Sequence, residues 1–141
     1  SFMAIFKEIE NEFKAKFNYH KIKEVRIIQT EEGTQLRILT ESYVNKDARI
    51  EGAKAILIEN IIEKADFAGK PFYEILKAKF EMFKDGEDDF EDNWKQKNVQ
   101  KSVFSIQNQN GELIKQWSEI DSEDIEFKVS EQISNESVKQ V

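Results

Sequence analysis

The sequence contains no cysteine. That excludes a disulfide framework, a thiolate zinc site and a cysteine nucleophile. Histidine occurs once, at His20, so no imidazole pair can hold a metal and any catalytic triad must be built around that ring. Glycine is scarce, with five in 141 residues. Neither a glycine-rich phosphate loop nor a Gly-x-Ser-x-Gly elbow is present. Apolar runs stay well short of the ~18 residues of a membrane-spanning helix, and no signal peptide opens the chain. Ser1-Phe2 ahead of Met3 reads as a cloning remnant, with Met3 as the natural start and the cytoplasm as the expected compartment. Nothing in this inventory requires an enzyme or a cofactor.

What the chain has is hydrophobic content of 39%, including eleven Phe, too much for disorder. The length suits a single α+β domain over residues 1–130, with a polar tail over 131–141 that frays. Charge is unevenly spread. Residues 1–84 carry 15 Lys/Arg and 14 Asp/Glu, a net of +1, whereas residues 85–141 carry 6 and 14, a net of −8. Two clusters produce the excess. One is Asp85-Gly86-Glu87-Asp88-Asp89-Phe90-Glu91-Asp92, followed by Trp94; the other is Glu119, Asp121, Glu123, Asp124 and Glu126. A net of −7 opposes nucleic acid and anionic membranes as partners and favours basic protein surfaces.

Apolar spacing predicts the elements. Phe2, Ile5, Phe6, Ile9, Phe13 and Phe17 recur every three or four residues, so an amphipathic helix is expected over 3–17. Strands are expected at 25–30 and 34–40 around a Glu31-Glu32-Gly33 turn, with Ile28, Leu36 and Ile38 on one face and Val25, Ile27 and Leu39 on the other. A second helix, capped by Asp47, is expected over 48–65, where Ala53, Ile56, Leu57, Ile58, Ile61 and Ile62 form an apolar arc wide enough for two neighbours. Pro71 starts a third over 71–84, stopped by Gly86. Strands at 99–108 and 113–117 flank Asn110-Gly111. That hairpin places Phe104 opposite Trp117, with Ile106 and Leu113 on the same face. A further strand is expected at 125–129. The fold class is therefore α+β: a mostly antiparallel sheet of two hairpins plus one strand, packed with about three amphipathic helices.

The second hairpin brings the two acidic clusters toward one end of the sheet. A calcium loop starting at Asp85 fails, because its sixth position is Phe90 rather than Gly and its twelfth is Gln96 rather than Glu. Glu126-Phe127-Lys128 resembles a nuclease tripeptide, but Glu12-Phe13-Lys14 repeats it where a helix is expected. His20 reads as an exposed loop residue in a basic patch with Lys14, Lys16, Lys23 and Arg26. Trp94 reads as a candidate aromatic anchor ringed by charge. The leading expectation is a non-catalytic binding protein that masks a basic site on a nuclease or nucleic-acid-binding partner, like an immunity protein or a phage-encoded inhibitor. Asp85, Glu87, Asp88, Asp89, Glu91, Asp92, Trp94, Glu119, Asp121, Glu123 and Asp124 would form its partner-binding rim. Two alternatives stand beside it: a structural subunit or adaptor of a larger assembly, and a carboxylate-based metal-dependent enzyme. Exposure of the 53–62 apolar arc favours the assembly; burial of that arc beside an acidic rim favours the inhibitor.

Overall fold

The strand that organises the molecule, Lys16–Thr30, is long enough to serve two neighbours along one edge. The structure, a computed structural model, describes residues 3–66, 71–90 and 102–119. Its elements are β1 (Met3–Glu10), β2 (Lys16–Thr30), β3 (Gly33–Tyr43), α1 (Lys46–Ile50), β4 (Ile56–Ile62), α2 (Phe72–Lys79), a 3₁₀ turn at Glu81–Phe83, β5 (Glu87–Phe90), β6 (Ser102–Asn108) and β7 (Leu113–Glu119). The strands form one sheet in the order β4-β3-β2-β1-β5, with β6 on β2 and β7 on β6. Every pairing is antiparallel except β2 with β6. The α+β class and the mostly antiparallel sheet thus hold, but the described residues contain two α-helices rather than three.

Along one edge of β2, β1 pairs as far as His20 and β6 takes over from Glu24. The exchange leaves Ile22 without a strand partner on that side. Two hydroxyls supply the hydrogen bonds: the Ile22 N–H donates to the Tyr73 hydroxyl at 3.0 Å, and the Ser102 hydroxyl donates to the Ile22 carbonyl at 2.9 Å. Buried backbone groups need such partners, so this seam is a built feature.

The expected helix over 3–17 is instead β1, a turn and the start of β2. Its three-residue apolar spacing comes from a register shift between Phe6 and Ile9. A bulge adds one residue, so Phe6 and Ile9 share a face at a helical interval. Asn11 then turns the chain, its side-chain oxygen accepting from the N–H groups of Phe13 and Ala15. Phe13 lies exposed at that turn.

The expected helix over 48–65 splits in two. Asn45, not Asp47, caps α1, its side chain accepting from the Ala48 N–H at 2.8 Å. The helix stops at Gly52, whose φ of 81° is the left-handed conformation that terminates helices. The isoleucine-rich stretch beyond is β4, as branched side chains favour. The third expected helix is shorter, ending at Lys79 before the 3₁₀ turn. Gly86 serves a different purpose: a Cβ there would collide with Ile5 Cγ2 and lie 3.1 Å from the Phe83 carbonyl oxygen.

Both hairpins form, with corrected registers. Thr30 pairs with Gly33, so the first loop is the two residues Glu31-Glu32. Val25 therefore pairs with Ile38 and Ile27 with Leu36, and all four are buried; Ile28 and Leu39 lie on the other face. A one-residue error in loop length swaps every face. In the second hairpin Phe104 does oppose Trp117, but a register shift puts Leu113 opposite Gln107, exposed and away from Ile106. The strand expected at 125–129 lies outside the described residues.

The core fills one face of the sheet. Ile22, Val25, Ile27, Leu36, Ile38, Phe104 and Ile106 meet Phe72, Ile75, Leu76 and Phe83, and Phe72 stacks on Phe104 at 5.7 Å. Full burial of each such side chain contributes about 1.5–3 kcal/mol. On the opposite face, α1 covers the β1 end of the sheet with Arg49 over the Tyr19 ring.

Candidate functional site

The middle of the first acidic cluster is strand rather than loop. Glu87, Asp88 and Asp89 belong to β5, an edge strand paired with β1 so that Phe6, Ile5 and Ala4 lie opposite them in turn. Successive side chains on a strand point to opposite faces. Asp88 accordingly reaches the α2 side, where its Oδ1 lies 2.7 Å from Lys77 Nζ. Asp89 reaches the other side: its Oδ2 lies 2.8 Å from Lys46 Nζ and accepts from the buried Tyr19 hydroxyl at 2.8 Å. The acidic strand therefore fastens α2 on one face and the start of α1 on the other. This opposed geometry also prevents Asp88 and Asp89 from converging on a single cation. Asp85 and Glu87 are exposed.

Of the other rim residues, Glu119 ends β7 opposite Ser102. Because β1 and β6 meet end to end along β2, pairing of Phe90 with Met3 and of Glu119 with Ser102 brings the ends of β5 and β7 to the same seam. Glu91, Asp92, Trp94, Asp121, Glu123 and Asp124 lie outside the described residues. So does Glu126-Phe127-Lys128. Among the described residues, no group of three or more His, Cys, Asp or Glu side chains could hold a metal, and no helix is long and apolar enough to cross a membrane.

His20 is buried within β2 rather than exposed in a loop. Its Nε2 lies 2.6 Å from the Lys7 carbonyl oxygen, which can only accept, so that nitrogen carries the proton and Nδ1 accepts from the Ser42 hydroxyl at 2.7 Å. Lys7 lies within the β1 bulge, between Phe6 and Ile9. Burial lowers the His20 pKa below the usual 6.5, with the Lys7 hydrogen bond opposing the shift. The sign follows from linkage: the unfolded chain takes up a proton that the folded chain refuses. Stability present above pH 6.5 is thus lost as pH falls below it. With one histidine in the chain, thermal midpoints should decline between neutral pH and the carboxylate range, and His20→Asn should flatten that decline. An unchanged slope in the variant would contradict this assignment.

A second set of ionisable groups lies beneath α1. The Tyr43 hydroxyl donates to Glu41 Oε2 at 2.8 Å. Its pKa is pushed up to about 12, first by burial and then by the Glu41 acceptor and charge, with Arg49 opposing. Lys23 Nζ approaches Glu41 at 3.8 Å. Arg49 is the α1 residue that reaches this set, through its hydrogen bond with Tyr43.

Beyond α1 the same face of the sheet is uncovered by any described element. Leu57, Glu59 and Ile61 of β4 lie opposite Glu41, Leu39 and Arg37 of β3, and Arg37 lies opposite Arg26 of β2. Glu59 Oε1 sits 3.5 Å from Arg26 and 3.2 Å from Arg37, while Arg26 Nε approaches Glu24 at 3.4 Å. Leu57 is 54% exposed and Ile61 38%. The depression between these side chains, lined by Glu24, Arg26, Arg37, Leu39 and Glu59, has a volume of about 130 Å³. That is below the ~300 Å³ of ordinary small-molecule sites. The arrangement suits a flat protein contact. The sequence pointed to a wide apolar arc here, but reading it as helical concealed that alternate residues line an open sheet face on an edge strand.

No protein-family model, curated protein or solved structure matches the chain.

Proposed function

We propose that the protein is a non-catalytic structural subunit or adaptor, joined to its assembly through β4 and the uncovered sheet face beside it. The exposure of Leu57 and Ile61 on an open strand edge carries this reading. Edge strands offer unpaired backbone donors and acceptors, and apolar residues in alternation supply the contact area. In native lysate, the tagged chain should retain its partner at high salt, and Leu57→Lys with Ile61→Lys should abolish capture. A partner released by salt and still captured by that variant would contradict the reading.

The second reading, an acidic protein masking a basic partner in the manner of an immunity protein or phage-encoded inhibitor, is favoured by the convergence of β5 and β7 at one seam. Asp88 and Asp89 already have lysine partners, so among the described residues of this cluster Asp85 and Glu87 are the exposed acids that could serve it. Glu87→Gln, Glu91→Gln and Asp92→Asn would then slow association at low salt and much less at high salt.

A further inference from the structure

Among the described residues, β4, β5 and β7 each leave one edge open. Folded proteins guard such edges with short strands, charge or bulges. β5 has four residues, three of them acidic. β7 has a register shift near its start and carries Lys115. β4 has neither defence. It runs seven residues, pairs with β3 without a register shift, and carries the single charge Glu59 among five Ile and Leu.

We propose that β4 pairs antiparallel with β4 of a second copy of this chain, about a two-fold axis through Glu59, making one sheet continuous across both copies. The proposal rests on the reading of β4 as the interaction edge and names its occupant. A two-fold axis normal to the sheet pairs residues equidistant from Glu59, so equivalent faces remain continuous. Leu57 then meets the partner's Ile61, and Ile61 the partner's Leu57. On the core side Ile56 meets the partner's Ile62. Self-complementarity of this kind is what an isologous contact requires.

Charge supports a copy at this edge. A chain of net −7 repels its own kind, so a contact between copies needs a locally neutral surface. Here Glu24 and Glu59 are matched by Arg26 and Arg37. The one like-charge pairing, Glu59 against the partner's Glu59, is flanked by two guanidiniums from each copy. A foreign strand of strong net charge, of either sign, would find no counter-charge at this locally neutral edge.

Sedimentation velocity across a wide concentration range should show a reversible monomer–dimer equilibrium with micromolar dissociation. Leu57→Lys with Ile61→Lys should be folded and monomeric, since both side chains are surface-exposed. The absence of cysteine supplies a position-specific test. Glu59→Cys should form a disulfide-linked dimer under mild oxidation, because directly opposed Cβ atoms lie roughly 4.5–5.5 Å apart, whereas Phe13→Cys at the exposed turn should not. A wild-type chain that is monomeric throughout overturns the proposal, as does Glu59→Cys cross-linking no faster than Phe13→Cys, or a Leu57/Ile61 variant that remains dimeric. If the chain is monomeric yet captures a partner that the Leu57/Ile61 variant loses, the copy is refuted and the assembly reading stands.

Discussion

Gly86→Ala is expected to lower stability by about 1–3 kcal/mol, as overpacking of a well-packed site does. Gly86 lies where the chain leaves the 3₁₀ turn and enters β5, and its backbone passes directly against the buried Ile5. An added methyl group has nowhere to go: Ile5 is fixed between β2 and β5, and the Phe83 carbonyl oxygen closes the other side. Either Ile5 leaves its rotamer or β5 moves from β1. The thermal midpoint should fall by roughly 2–4 °C per kcal/mol for a chain of this size. In an Ile5→Ala background the cost of Gly86→Ala should shrink, since the colliding Cγ2 is gone and the two changes are coupled through contact. An unchanged midpoint in the single variant would contradict the close approach.

Asp89→Ala is expected to cost about 1–3 kcal/mol, the range for losing a hydrogen-bonded charged partner from a half-buried site. It removes the acceptor of the buried Tyr19 hydroxyl and the counter-ion of Lys46. Asp89→Asn should fall between, since its amide oxygen can still accept from Tyr19 but cannot pair with the ammonium. Asp85→Asn, exposed, should stay within about 0.5 kcal/mol of wild type. Chemical denaturation of the three variants checks the order. If Asp89→Ala proves as stable as Asp85→Asn, or more so, the acidic strand is a solvated rim after all.

These two residues also show what the sequence made legible. The hairpins at Glu31-Glu32 and Asn110-Gly111 could be read because turn chemistry and strand composition are local. So could the helix after Pro71. β1 and β4 could not: a bulge gives β1 a helical interval, and β4 is an isoleucine run with no turn signal at its end. Gly52 was the missed cue that α1 stops early. The acidic segment could be found but not interpreted, because Asp89 finds Tyr19 at a separation of 70 residues. Such pairings follow from the strand order β2-β1-β5, which no local pattern announces. His20 was misplaced for the same reason: its partners are a bulged carbonyl on β1 and a hydroxyl on β3.

Amide hydrogen exchange on the chain alone at high dilution, and again within its native assembly, tests the interaction edge most directly. If β4 is that edge, amides in residues 56–62 exchange as an open strand when alone and slow many-fold on assembly, while those of 85–90 keep their rates. Unchanged rates over 56–62, with new protection at 85–90, would contradict it and return the function to the acidic segment.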